Sequence, residues 1–266
     1  MSAAEGIRRA SLPAIEGEHW VCIGHSHTGA LAAANPDMDT INFWNAGDMW
    51  HHGAGPRPLR EDLAERVTRA DFVISMIEGA GHSVLSLAEH PWNFDFVLPS
   101  EPDLPMLTGA TVIPVDAIRR TLLELSEPLL IGISVLAETY DVPILHIEPP
   151  PPLQEITKLG LDAVHRNFIE SGLLFQGRNK TFSNKWVRYK AWRLHTQIIA
   201  ERCVASGVTY LPTPKAVQDK HGFLRPEFDS DGIHGNTDYG VIVLEAVRRA
   251  RPGVARRALN LAVSEA

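Results

Sequence analysis

The sequence predicts an α/β protein, a three-layer α/β/α sandwich on a five-stranded, mostly parallel sheet. Three observations predict it. Short apolar runs alternate with longer segments of helical periodicity, the pattern of parallel β-α-β units. The run Asp71-Phe72-Val73-Ile74-Ser75-Met76-Ile77 is apolar almost throughout, as a strand covered on both faces must be. Polar, glycine-containing segments follow the apolar runs, which is where open α/β sheets bind ligands, outside the carboxyl ends of the strands.

The elements follow in order. The segment 19–24 is a short strand ending at Gly24, and 26–34 reads as a helix stopped by Asn35-Pro36. The second strand is 40–44. Residues 57–70 place Leu59, Leu63 and Val67 on one helical face, and 71–77 is the third strand. A helix is expected over 116–140, with Pro128 either kinking it or splitting it in two. Strand four is 142–147, followed by the proline tract Pro149–Pro152, read as a stiff surface loop. Residues 184–206 form an amphipathic helix with Val187, Ala191, Leu194 and Ile198 on one face and Gly207 as its cap. A fifth strand at 208–211 and a closing helix at 239–251 complete the pattern.

Composition excludes several classes. The 266 residues carry 25 Lys+Arg against 32 Asp+Glu, a net charge of −7, so the chain has no basic footprint for nucleic acid or an anionic membrane. Two cysteines, Cys22 and Cys203, make neither a disulfide framework nor a four-cysteine zinc site. No apolar run is long enough to span a bilayer, and 1–18 lacks the apolar core of a signal peptide. The expectation is a single cytoplasmic domain over 1–266, with 1–18 poorly ordered or peripheral. The 12 histidines are the unusual count.

Two segments carry chemistry. Ser26 follows strand one and opens a helix, a position that suits either a nucleophile facing free backbone N–H groups or a simple helix N-cap. Near the other end, Asp231 stands three residues before His234 on a turn entering the last helix. A histidine base needs a partner that fixes its tautomer, and a nearby carboxylate supplies one.

Gly24-His25-Ser26 after the first strand, with Asp231-x-x-His234 near the last helix, resembles the SGNH (GDSL-type) hydrolases. The resemblance runs over nearly the whole chain in strand order. It implies a flavodoxin-like sheet and a serine esterase or acyl hydrolase acting through an acyl-enzyme, without a cofactor, on a small-molecule or carbohydrate ester. Ser26 would be the nucleophile, His234 the base and Asp231 its orienting acid. The oxyanion hole would draw on Ser26, on Gly47 of the second block and on the third block, Glu78-Gly79-Ala80-Gly81-His82. That block lacks the family's asparagine, whose side chain donates to the oxyanion; Ala80 stands in its place in one register and Gly81 in the other, and His82 aligns with the histidine of a Gly-Asn-Glu-His variant. Either His82 or Asn45 replaces the donor, or the chain is a weakened or repurposed relative, or it is an altered form of an active parent. His25, His27, Trp44, Asn45 and Trp50 are candidates for contacting substrate.

Two other hydrolase classes use comparable motifs. The Gly-x-Ser-x-Gly elbow of α/β-hydrolases is not met, because Gly29 comes one residue late. A metal-dependent hydrolase could use His25-x-His27 with His51, His52 or His82, since histidine clusters bind metals, although Asp219-Lys220-His221 follows rather than precedes Gly24-His25-Ser26-His27.

Overall fold

The computed structural model describes residues 18–43, 59–78, 80–89, 92–159 and 181–250. In chain order these form β1 (Trp20–Gly24), α1 (Thr28–Ala34), β2 (Asp39–Asn42), α2 (Glu61–Thr68), β3 (Phe72–Met76), α3 (Gly81–Ser86), β4 (Phe94–Asp95), β5 (Thr111–Val112), α4 (Val115–Thr139), β6 (Ile144–Ile147), α5 (Lys185–Ala205), β7 (Thr209–Leu211) and α6 (Thr237–Ala250). The main sheet has the order β2-β1-β3-β6-β7, and every pair in it is parallel. This is the doubly wound order in which the chain starts near the middle and builds outward on both sides.

The alternation of side chains along each strand divides the interior into two layers. Val21 and Ile23 of β1 and Val73 of β3 face α2, α4 and α5. Trp20, Cys22, Phe72, Ile74 and Met76 face α1 and α6. β1, β3 and β6 are buried at every position, as strands covered on both sides must be. The α/β/α expectation therefore holds.

Several local expectations need correction. The first helix begins at Thr28, not Ser26, because Thr28 N–H and Oγ1 both donate to the His25 carbonyl and close a turn ahead of it. Of the two alternatives for Pro128, the split is excluded, since α4 runs through it as one element. The proline tract is not on the surface. Pro149, Pro150 and Pro151 are buried, which is tolerable because proline has no N–H to leave unsatisfied. The Pro149 carbonyl accepts from Trp192 Nε1 and Thr213 Oγ1.

α5 is buried on more than the predicted face. Its Val187, Ala191, Leu194 and Ile198 enter the core as expected, but so do Arg188, Lys190 and His195. Lys190 lies 2.5 Å from Asp95, both sealed from solvent, and the carboxylate also accepts from the N–H groups of Phe96 and Leu107. Burying both charges is tolerable only because each is paired and hydrogen-bonded. The helix ends as its glycine predicts: Gly207 takes φ +69°, its N–H bonds the Val204 carbonyl, and Val208 N–H bonds that of Cys203.

α1 and α6 cross closely on the second face. A Cβ on Gly240 would sit 2.1 Å from the Ala30 carbonyl oxygen, so only glycine lets the two backbones approach this far. Helix propensity alone favours alanine over glycine by about 1 kcal/mol. Gly240→Ala is nevertheless expected to destabilise the protein, by about 1–3 kcal/mol of overpacking. The urea midpoint measures it, and an unchanged or raised midpoint would contradict the close contact.

Candidate active site

The site is built where β1 and the segment before α6 meet. Leaving β1, the chain turns at His25, Ser26 and His27 before α1. Ser26 is not the helix cap, since His27 holds that position. Its hydroxyl is instead directed to the other end of the chain. Among the described residues neither the Ser26 nor the His27 backbone N–H has an acceptor.

The loop that carries His234 is held by its own hydrogen bonds. Ser230 N–H donates to the His234 carbonyl, and Asn236 N–H to that of Phe228. The buried Asp229 accepts from Gly232 N–H at 2.6 Å and pairs with Lys158 at 3.2 Å. Asn236 Oδ1 accepts from Tyr239 N–H at 3.0 Å, capping α6. With both ends of the loop fixed, His234 has little freedom to move away from Ser26.

His234 Nε2 lies 2.8 Å from Ser26 Oγ, and its Nδ1 lies 2.7 Å from Asp231 Oδ2. The other oxygen of Asp231 accepts from the N–H groups of Ile233 and His234 at 3.0 and 2.9 Å. Partial burial raises the Asp231 pKa, but the His234 bond and these backbone donors outweigh it and hold the carboxyl well below its usual range. Asp231 is 50% exposed, so hydrogen bonds rather than burial fix its orientation.

The remaining candidates fall in different places. His27 packs against the His234 ring at 4.9 Å between centroids, and lines a cleft with His82, Leu87, Pro151, Ile156 and Ile233. His25 packs edge-on against Phe43 and is not part of that lining. Ala80 is exposed at the start of α3. Trp44, Asn45, Gly47, Trp50, His51 and His52 lie outside the described residues. Among the described residues no three His, Cys, Asp or Glu side chains are grouped as a metal ion would need, and no helix is long and apolar enough to cross a membrane.

The floor of the site is unusually polar, and most of it was missed in the sequence. Glu78 is fully buried 3.7 Å from His27, and burial together with the charge of Glu148 raises its carboxyl well above the usual range. His195 sits between His82 and Ser126, at 3.0 and 2.8 Å. In the sheet beneath, Ser75 and His146 are register partners bonded at 3.0 Å. An isolated serine or histidine inside an apolar run carries no local signal of such a partner; only the strand register brings Ser75 to His146.

No protein-family model and no curated protein sequence matches this chain. Among solved structures it is similar to a GDSL-like lipase from Bacteroides thetaiotaomicron, at 12% identity and a TM-score of 0.43, covering 89% of this chain and 88% of that one. A lipopolysaccharide acetyltransferase periplasmic domain from Salmonella ser. Paratyphi A matches at 14% identity and 0.42, over 88% and 83% of the two chains. An acetylxylan esterase from Geobacillus stearothermophilus matches at 15% and 0.38, over 89% and 95%. The α/β/α class itself follows from the strand order and layering of this chain.

The buried histidines set a pH dependence of stability. Burial lowers His146 to about 3, and burial with the nearby His146 lowers His195 to about 4; His27 and His82 are also held well below the ordinary value, chiefly by burial. Below about pH 6.5 the unfolded chain binds protons at these positions that the folded chain refuses, so stability falls with falling pH, by up to about 1.4 kcal/mol per pH unit for each group. Glu78, raised on folding, works in the opposite direction above pH 4.5, but is one group against four. The urea midpoint is expected to drop between pH 7 and 5, and His146→Gln to flatten the slope. A midpoint independent of pH over that range would contradict neutral burial.

Proposed function

We propose that the protein is a serine acyl hydrolase, of esterase or deacetylase type, and that Ser26, His234 and Asp231 are its catalytic triad. The observation that carries this reading is the continuous hydrogen-bonded chain from Ser26 Oγ through His234 to Asp231. In the reaction Ser26 Oγ attacks the ester carbonyl while His234 Nε2 takes its proton. The tetrahedral intermediate then collapses as His234 returns the proton to the leaving alcohol. Water, deprotonated by the same nitrogen, releases the acid from the acyl-enzyme. Asp231 keeps His234 protonated on Nδ1, so that Nε2 is free to accept. The unengaged N–H of Ser26 is the backbone donor of the oxyanion hole.

The cleft that His27 lines with Ile156, Leu87 and the prolines adjoins the triad through the His27–His234 ring contact, although Ser26 and His234 are not in its lining, and we assign it to a small acyl or alcohol group. The substrate is a small-molecule or carbohydrate ester.

Ser26→Ala is expected to abolish both turnover of a short-chain nitrophenyl ester and labelling by a fluorophosphonate. Asp231→Asn should lower kcat by about 10³–10⁴, because an amide no longer selects the accepting tautomer. A native protein that neither hydrolyses such esters nor labels would overturn the reading.

Ala80 favours a second reading, a binding protein on the same fold whose oxyanion site is incomplete. In that case Ala80→Asn raises ester turnover by about 10²-fold, the usual worth of one oxyanion donor. An enzyme that already has a donor from another side chain gains little from the same change.

A further inference from the structure

Ala80 offers no polar group at the place where the resemblance expects an amide. His82 lies two residues further on, in α3, and lines the cleft beside His27. A neutral imidazole donates from one nitrogen and accepts at the other, so its use at the cleft depends on which nitrogen holds the proton.

The bonds behind it decide this. His82 Nδ1 is 3.0 Å from His195 Nδ1, and His195 Nε2 is 2.8 Å from Ser126 Oγ. His195 and Ser126 are fully buried, and burial keeps both histidines neutral. One proton therefore lies between the two Nδ1 atoms. Several helix hydroxyls satisfy their donor on a nearby backbone carbonyl: Thr68, Ser86 and Thr121 on the one four residues back, Thr28 and Thr196 on the one three residues back. Ser126 makes no such bond, and His195 Nε2 is its one partner among the described residues. A buried hydroxyl that fails to donate loses about 1–3 kcal/mol, so Ser126 donates to Nε2. That leaves the His195 proton on Nδ1, donated to His82 Nδ1. His82 must then carry its own proton on Nε2.

A second observation shows that the arrangement is built into the packing. A Cβ on Gly81 would sit 2.6 Å from Ser126 Oγ and 3.5 Å from His195 Nε2. Only glycine there lets the hydroxyl of α4 reach beneath α3.

We propose that Ser126 and His195 act as positioning residues that fix His82 as the Nε2–H tautomer, and that this N–H is the side-chain oxyanion donor of the site. The inference rests on the acyl-hydrolase reading for the role of the donor, but not for the tautomer.

Two-bond ¹H–¹⁵N spectra of the native protein with labelled histidine test the tautomer without any substrate. The expected result is His82 protonated on Nε2 and His195 on Nδ1; His82 protonated on Nδ1 would overturn the relay. Ser126→Ala should release the constraint, giving mixed tautomers at His195 and His82 and a kcat about tenfold lower with KM within twofold. Unchanged spectra and kcat would count against it. His82→Ala should lower kcat by about 10²–10³, and His82→Gln, which keeps an N–H donor, should recover at least tenfold of that. Equal losses in both variants would overturn the donor role. After labelling with a fluorophosphonate, whose phosphonyl oxygen occupies the oxyanion position, the His82 Nε2 proton should move downfield. A labelled protein in which it does not move overturns the donor role alone, whereas failure to label and to hydrolyse esters overturns the acyl-hydrolase reading and with it that role.

Discussion

Ser26 and His234 are 208 residues apart in the chain and 2.8 Å apart in space. The contact that closes this gap is the packing of α1 on α6, backbone against backbone at Ala30 and Gly240. The serine leaves the end of β1 just before α1, and the histidine enters just before α6. Their separation is therefore set by how closely two helices can lie on one sheet face. A wider separation of the helices would weaken this hydrogen bond, since such bonds tolerate little lengthening.

The site also depends on what lies on the opposite face. β3 and β6 place Ser75 and His146 side by side under the site, and α4 and α5 add Ser126 and His195. These polar groups are expensive to bury unless partnered. Most of them are partnered, in pairs that cross from one element to another. Glu78, with neither oxygen hydrogen-bonded among the described residues, and the single proton between His82 and His195 make this interior sensitive to protonation in a way an aliphatic core is not.

The strands and long helices were legible because hydrophobic periodicity records burial directly. β1, β3 and β6 read as apolar runs, and Val187, Ala191, Leu194 and Ile198 marked the inner face of α5. The Ser26 and Asp231-x-x-His234 segments were legible because the order of strands fixes which loops share an end of the sheet. What escaped the sequence depends on partners far away in the chain. Lys190 reads as a solvent residue until Asp95 is brought to it. The prolines at 149–151 read as surface until one counts the N–H groups they do not have. α3 is too short, at six residues, to show a period, and His195 is a histidine on a helix until Gly81 makes room for Ser126 behind it.

The order of elements has a consequence for how the protein comes into being. The main sheet is complete at Leu211, yet the loop bearing His234 and the helix α6 come afterwards. Until α6 docks, Ser26 lacks its partner His234, and Phe72, Ile74 and Met76 have α1 but not α6 over them. One event thus seals the apolar face and brings His234 to Ser26. A chain caught short of it would expose apolar surface and lack the Ser26–His234 hydrogen bond together, so that this one bond reports on completed folding.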